Sequence, residues 1–175
     1  MATDQNQYLG NPLLKKANVS VEFTKEQIQE YQKCMDDPIH FIQEHMKIVS
    51  LDEGLVPFKM YDFQQNMVKT FHDNRFTICK LPRQSGKSTT IIAYLLHYVL
   101  FNQNVNVAIL ANKSSTARDI LGRLQLGYEN LPKWLQQGVI SWNKGSLDLE
   151  NGSSILAAST SASAIRGGSY NIIFL

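Results

Sequence analysis

The sequence predicts an α/β fold with a mostly parallel sheet flanked by helices, and three stretches of the chain predict it. Residues 76–81 form an apolar run of strand length, followed by a polar turn and then by residues 91–101, an apolar stretch of helical length. Residues 105–110 are a second apolar run, and an amphipathic helical pattern follows them. Residues 171–175 begin a third such run. Strands that alternate with helices favour parallel pairing, because parallel strands need long crossover connections.

The totals are those of a globular protein. The chain has 175 residues, of which 43% are hydrophobic and 18% charged, and its net charge of +2 neither indicates nor excludes a nucleic-acid partner. Cys34 and Cys79 have no metal-ligand spacing, so we expect both to be buried thiols in a reducing compartment. No signal peptide is apparent, and the longest apolar run contains His97 and is too short to span a bilayer. These features predict a soluble cytosolic protein with no membrane partner.

The N-terminal third divides into an arm and a helical region. Residues 1–20 are polar and predict a flexible arm, and residues 21–60 predict a helical subdomain that packs on the rest. Thr24 and Gln27 fit a capping box at the start of its first helix, and Pro38 fits the first position of its second. The apolar face predicted for the first helix is Ile28, Tyr31 and Met35.

Residues 61–175 carry the predicted sheet. Residues 47–50 and 55–60 read as extended pieces before it, and Asp62 is the expected N-cap of a third helix, with Gln65 reaching back. The inner face of that helix is predicted to be Phe63, Met67, Val68 and Phe71. The pattern of a further helix is carried by Ala117, Ile120, Leu121, Leu124 and Tyr128.

The C-terminal part contains a strong hairpin signal. Asn151-Gly152 separates two strand-like runs, residues 146–150 and 153–157, and this dipeptide favours a tight two-strand turn. Residues 163–168 read as a basic loop before the last apolar run. The histidines, His40, His45, His72 and His97, form no ligand pattern and are expected to be packing or surface residues, and Trp134 and Trp142 core or edge residues.

The turn after residues 76–81 has the composition of a phosphate-binding loop. Gly86 allows close approach of the backbone, Lys87 is placed to reach the β- and γ-phosphates, and the Ser88 hydroxyl is placed to bind Mg²⁺. The pattern is imperfect, because Leu81 occupies the position of the usual first glycine. The alternative is an ordinary helix start with Ser85 as its N-cap.

Several stretches together give a resemblance to a known family. The chain resembles, from about residue 23 onward, the N-terminal ATPase region of the large terminase subunit of tailed bacteriophages, particularly the T-even type. The resemblance rests on residues 37–42, 62–64, 82–88, 109–113, 142–146, 151–154 and 166–167. It implies a P-loop NTPase fold of the helicase and terminase type, with a variant phosphate loop in which Arg83 and Gln84 precede the Ser85-Gly86-Lys87-Ser88 stretch.

The resemblance also implies roles for individual residues. Lys87 and Arg83 are the expected catalytic residues, with Arg83 as an arginine finger; the alternative is that Arg83 only holds ground-state phosphate. The expected ATP-binding residues are Phe63, Gln64, Pro82, Arg83, Gln84, Ser85, Gly86, Lys87, Ser88 and Thr89, and Ser88 is the expected Mg²⁺ ligand. Within this set Gln64 matches an adenine-reading glutamine. Phe63 stands where the family often has tyrosine, and its ring is a candidate for stacking on adenine but supplies no hydroxyl.

Each of these assignments has a simpler alternative. Gln64 can be a capping residue and Phe63 a core residue. Lys113 follows a predicted strand, and Arg166 lies in a basic loop, so both are candidates for contact with DNA or for coupling to it. The alternatives are a solvated lysine and an ordinary turn.

At the level of function, the resemblance implies an ATP- and Mg²⁺-dependent motor that moves double-stranded DNA into a procapsid in the host cytoplasm. The implied partners are the portal, the small terminase subunit and further copies in a ring. The family's Asp-Glu motif would directly follow residues 171–175, and its nuclease domain would come later, so we expect a fold that is incomplete at the C-terminus. Alone, the chain is expected to bind nucleotide weakly and to hydrolyse it negligibly. Another helicase-like translocase, or a non-hydrolysing assembly module, is the alternative.

Overall fold

The computed structural model describes residues 6–50, 52–160 and 165–175. The helices are α1 (Lys25–Asp36), α2 (Pro38–His45), α3 (Asp62–Asp73), α4 (Lys87–Phe101) and α5 (Ser114–Glu129). The strands are β1 (Gln7–Tyr8), β2 (Asn11–Lys15), β3 (Lys47–Ser50), β4 (Gly54–Pro57), β5 (Asn106–Ala111), β6 (Val139–Trp142), β7 (Ser146–Leu149), β8 (Ser154–Ser159) and β9 (Ile172–Phe174).

The central sheet has five strands in the order β6-β7-β8-β5-β9. Strand β5 pairs in parallel with both β8 and β9, so that Val107 lies opposite Ile155 on one side and Ile172 on the other. Strands β6, β7 and β8 pair antiparallel. The α/β class is confirmed, but the sheet is mixed rather than mostly parallel. The difference arises because β6, which the sequence did not predict, extends the hairpin.

The hairpin at Asn151-Gly152 is confirmed, and the structure shows why the turn is stable. Gly152 has a φ of 79°, which a glycine adopts without steric cost. The Asn151 side chain donates from Nδ2 to the carbonyls of Val99, at 2.8 Å, and Asn102, at 3.0 Å. These bonds attach the turn to the C-terminal end of α4 and satisfy carbonyls that a helix end leaves free.

Residues 76–81 do not form the predicted strand. They have no strand partner among the described residues, and the side chains of Phe76 and Ile78 are 83% and 96% exposed. A strand needs a hydrogen-bonded neighbour, and none of the described strands lies beside this segment. The apolar side chains of residues 76–81 are therefore not part of a buried strand. Cys79 within this segment is only partly buried, contrary to the sequence expectation.

The helix starts of the N-terminal region follow the predicted capping pattern. The Thr24 hydroxyl accepts from the Gln27 amide at 3.2 Å, and Gln27 Oε1 accepts from the Thr24 amide at 3.0 Å. Helix α2 begins at Pro38 behind the N-cap Asp37. The predicted face of α1 is only partly correct: Tyr31 packs against the core, but the side chains at positions 28 and 35 are exposed and the fully buried residue is Cys34.

Part of the expected N-terminal arm is folded. Strands β1 and β2 form an antiparallel pair, and Leu14 within it is 2% exposed. Lys15 makes an ion pair with Glu150 at 3.1 Å, and its backbone amide donates to Gln136 Oε1 at 3.0 Å. The segment that contains β1 and β2 is therefore not a flexible arm, because polar contacts with distant residues hold it on the core. The local sequence does not reveal these contacts.

Helix α4 is the centre of the core. Nine of its residues are buried: Thr90, Ile92, Ala93, Tyr94, Leu95, Leu96, His97, Val99 and Leu100. It ends shortly before β5 begins, so its N-terminus faces the edge of the sheet at which β5 and β8 end. That edge is where open α/β sheets place ligands. Within the described part of the chain, no helix is long and apolar enough to cross a membrane.

Candidate functional site

The loop before α4 has a backbone that exposes donors. Gln84 has a φ of 62° and Gly86 a φ of 76°, so two nearby residues of the loop are left-handed. Gly86 is the N-cap of α4, and no side chain caps this helix start. The first amides of α4 therefore remain available, and the positive end of the helix dipole lies among them. Turns of this kind form concave anion-binding sites.

Lys87 lies over the beginning of this loop. Its Nζ atom donates to the carbonyls of Leu81, at 3.2 Å, and Pro82, at 2.5 Å. Neither Lys87 nor Arg83 makes an ion pair with any carboxylate of the described residues. Lys87 is partly buried and Arg83 is exposed. The loop thus carries two positive charges that acidic neighbours do not neutralise, which favours an anionic ligand.

Gln64 connects α3 to the loop. Its side chain is buried, its Oε1 atom accepts from the Tyr61 amide at 2.9 Å, and its Nε2 atom donates to the Ser85 carbonyl at 3.4 Å. The prediction that Asp62 caps α3 with Gln65 reaching back is wrong by one residue, since Tyr61 is the N-cap. Of the two interpretations of Gln64, the capping role is the one observed, and the same side chain also contacts the loop.

Phe63 is not a core residue. Its side chain is 39% exposed and stacks on the 70% exposed ring of Tyr61, with ring centroids 5.9 Å apart and planes 10° apart. The rest of the predicted inner face of α3 is confirmed, since Met67 and Val68 are buried and Phe71 packs against the core, and Gln64 is buried with them. The exposed rings of Tyr61 and Phe63 therefore lie beside Gln64, at the N-terminal end of α3, which contacts the loop.

The remaining loop residues are arranged around the helix start. Pro82 and Gln84 are exposed, and the Ser85 hydroxyl donates to the Pro82 carbonyl at 3.0 Å rather than capping α4. Ser88 and Thr89 lie partly exposed in the first turn of α4. The structure thus brings together residues 82–89 and Gln64, and it excludes the alternative in which Ser85 is the N-cap.

Lys113 and Arg166 lie outside this group. Lys113 lies two residues after the end of β5 and is the exposed N-cap of α5, at the same edge of the sheet as the loop. Arg166 is exposed in a turn before β9, and the predicted basic loop around it begins at residues 163 and 164, which lie outside the described residues. No hydrogen bond joins either side chain to residues 82–89 in the part of the chain that the structure describes.

Comparison with known proteins decides the family. Residues 78–175, more than half of the chain, match the family model described as "Terminase large subunit, T4likevirus-type, N-terminal". The chain belongs to this terminase family. The match includes the loop, Lys113 and Arg166 but begins after Phe63 and Gln64.

A solved structure supports the fold of this terminase chain. The crystal structure of the HK97 bacteriophage large terminase is similar to it with a TM-score of 0.66 at 20% sequence identity. The similarity covers 79% of this chain and 30% of that one, so the chain spans about a third of the length of the HK97 protein. The family match and this similarity together identify the chain as an N-terminal part of a large terminase subunit.

His97 is buried and His72 is exposed, in line with the prediction of packing or surface residues, whereas His40 and His45 share one carboxylate partner. His40 Nε2 and His45 Nε2 both lie near Glu30 Oε1, at 2.7 and 3.0 Å. The hydrogen bond from His45 lowers the pKa of Glu30, against the opposing effect of burial. Cys34 lies one helical turn after Glu30, a spacing that the sequence shows, but the approach of α2 to α1 is long-range and has no local signal.

Sequence reasoning also missed one residue of α4 that contacts the loop. Thr90 is fully buried, and its hydroxyl donates to the Gly86 carbonyl at 3.1 Å, beside the helical bond from its own amide at 2.9 Å. Thr90 therefore stabilises the first turn of α4 from its buried side. The available signal was its place on the buried face of α4, three residues before Ala93 and seven before His97.

Proposed function

We propose that this terminase chain binds ATP with Mg²⁺ at residues 82–89. In the complete protein, ATP hydrolysis would drive double-stranded DNA into a procapsid. The observation that carries the proposal is the start of α4, where an uncapped helix terminus follows a loop with two left-handed residues. Anionic phosphate is stabilised there by backbone amides and by the helix dipole.

Lys87 supplies the charge that the proposal requires. Its ammonium group is held by two neutral carbonyls of the loop and by no carboxylate among the described residues, so a phosphate can draw it away at low cost. A charged hydrogen bond to phosphate is stronger than one to a peptide carbonyl. Arg83, exposed beside it, is proposed to approach the transferred phosphoryl group and to stabilise its growing negative charge.

The first turn of α4 suits the metal as well. Ser88 follows Lys87 directly and is partly exposed, and a hydroxyl at this point is a suitable oxygen ligand for Mg²⁺. When bound, Mg²⁺ would neutralise charge on the phosphates. Thr89 adds a second hydroxyl and a backbone donor in the same turn, and Thr90 below holds the loop carbonyl in place.

The base is proposed to stack on the aromatic pair of Tyr61 and Phe63. Their rings are parallel and exposed at the N-terminus of α3, which Gln64 attaches to the loop. The Gln64 amide uses one oxygen lone pair on the Tyr61 amide and one N–H on the Ser85 carbonyl, which leaves one acceptor site and one donor for adenine. The two present bonds also give Gln64 a positioning role, in which it fixes the distance between the aromatic pair and the loop.

The proposed partners follow from the family and not from contacts of this chain. They are double-stranded DNA, the portal of the procapsid, the small terminase subunit and further copies in a ring, in the cytoplasm of the host cell. Lys113 is the proposed DNA or coupling contact on the edge of the sheet that carries the loop. Arg166, exposed before β9, is the second.

The proposal is tested by the affinity for Mg·ATP of the wild-type chain and of Lys87→Ala, measured by isothermal titration calorimetry. Loss of a charged hydrogen bond costs about 1.5–3 kcal/mol, so we expect binding to weaken by about tenfold to a hundredfold. Lys80→Ala is the matched control, since Lys80 is an exposed lysine of the same segment. Equal affinity of wild type and Lys87→Ala, or equal losses in both variants, would contradict the proposal.

A further inference from the structure

A cluster of ligand-type side chains lies away from the loop, between α1 and α2. Glu30 and Cys34 are one helical turn apart on α1, and His45 is the last residue of α2. Glu30 Oε1, Cys34 Sγ and His45 Nε2 all lie within 4.8 Å of one another. We propose that these three side chains bind one zinc ion, which joins α1 to α2.

The distances are close to those of a metal site. Zinc bonds of about 2.0–2.3 Å at tetrahedral angles place ligand atoms about 3.3–3.6 Å apart. Glu30 Oε1 lies 3.8 Å from Cys34 Sγ and 3.0 Å from His45 Nε2. The two distances lie on either side of the range for zinc ligands, and the third pair, Cys34 and His45, is within 4.8 Å. The thiol proton passes to solvent when the sulfur binds.

The ligand types indicate zinc rather than magnesium or calcium. Thiolate, imidazole and carboxylate together are a set that Zn²⁺ binds, whereas Mg²⁺ and Ca²⁺ prefer oxygen ligands alone. Cys34 is fully buried and Glu30 and His45 are partly exposed, so the site opens to solvent on the side of the carboxylate and the imidazole. The opening leaves the fourth position to a water molecule.

His40 completes the arrangement as a positioning residue. Its Nε2 atom lies 2.7 Å from Glu30 Oε1, so it can donate to the carboxylate and hold it toward the metal. Residues that orient metal ligands in this way typically change metal affinity by about 10–100-fold. The Cys34 carbonyl is fixed from the other side by the ring of His97, 2.8 Å away, which holds the end of α1 in place.

The test is titration of the metal-free 175-residue chain with Co²⁺, a spectroscopic substitute for zinc. We expect one equivalent of Co²⁺ to give a thiolate-to-cobalt charge-transfer band and the visible bands of tetrahedral cobalt, and Zn²⁺ to remove both. Cys34→Ser abolishes the charge-transfer band, whereas Cys79→Ser, at the other cysteine, leaves it unchanged. Absence of the band in wild type, or its survival in Cys34→Ser, overturns the proposal.

Histidine variants test the rest of the site without altering the buried cysteine. His45→Asn is expected to weaken Co²⁺ binding by at least about tenfold, and His40→Gln to weaken it while retaining the charge-transfer band. His72→Asn is the matched control, because His72 is exposed on α3. Zinc should raise the melting temperature of wild type and of His72→Asn, but not that of Cys34→Ser. Equal metal affinity in all three histidine variants overturns the assignment.

Discussion

Gly86→Ala is the substitution that most sharply tests the geometry of the loop. Gly86 has a φ of 76°, and a Cβ atom there would lie 2.5 Å from Gln64 Nε2. The substitution therefore introduces two separate costs, one in the backbone and one in the contact with Gln64. A side chain must move, because real Cβ atoms do not approach a nitrogen this closely.

The two costs have different magnitudes. The left-handed conformation costs a residue with a Cβ about 1–2 kcal/mol. Displacement of Gln64, which is 3% exposed, breaks its bonds to Tyr61 and Ser85 and leaves buried polar groups unpaired, at about 1–3 kcal/mol. We expect Gly86→Ala to lower the free energy of unfolding by about 2–5 kcal/mol in all. Because Gln64 is attached to the loop, affinity for Mg·ATP should fall as well.

Urea denaturation of matched glycine variants separates the costs. Gly54 has a φ of 73°, and a Cβ atom added there would meet no heavy atom within 4 Å, so Gly54→Ala measures the backbone cost alone, about 1–2 kcal/mol. Gly122 lies in α5 with the same open space, and Gly122→Ala should stabilise by about 0.5–1 kcal/mol. The reasoning is refuted if Gly86→Ala costs no more than Gly54→Ala, or if its effect and that of Gln64→Ala are additive in the double variant.

Three further predictions concern the rest of the fold. Burial lowers the pKa of His97 from 6.5 to about 4. Between these pH values the unfolded chain binds a proton at His97 that the folded chain does not bind. The free energy of unfolding should therefore fall by up to about 3 kcal/mol as the pH decreases from about 6.5 to 4. Urea titrations should show this slope in wild type and in His72→Gln but not in His97→Gln. Gln136→Ala should lower the free energy of unfolding, measured by heat or urea, by about 3 kcal/mol, because the buried Gln136 amide donates to one carbonyl of β2 and to two carbonyls of the core beneath it. The control Gln103→Ala, at an exposed position, should change it by no more than about 0.5 kcal/mol. Ile78→Ser should also stay within about 0.5 kcal/mol in the same assay, and a loss of several kcal/mol would show that residues 76–81 are buried after all.

The features that sequence predicted well are local ones. The capping box of Thr24 and Gln27, proline at the start of α2 and the Asn151-Gly152 turn each depend on residues within a few positions of one another. The amphipathic pattern of α5 was equally accurate, since a helix buries one stripe whatever it packs against. Placing the phosphate-binding candidate at the start of α4 used the same kind of short-range information.

The features that sequence missed depend on distant parts of the chain. Residues 76–81 are apolar, but whether they pair depends on a neighbouring strand, which no local pattern reveals. The local sequence does not distinguish Gln64 from Gln65 as the capping residue of α3. Only the folded chain shows that Gln64 lies beside Ser85. The approach of His40 and His45 to Glu30 requires α2 to fold back on α1.

The most direct measurement of the central claim is an amide NMR titration of the chain with Mg·ATP. Binding at the loop predicts large shift changes at the amides of residues 84–89, and the proposed stacking of the base predicts further changes at Tyr61, Phe63 and Gln64. Lys87→Ala should reduce these changes at equal nucleotide concentration. Unchanged amides in the first turn of α4 at saturating nucleotide, or changes confined to another region, would contradict the assignment of this loop as the ATP site.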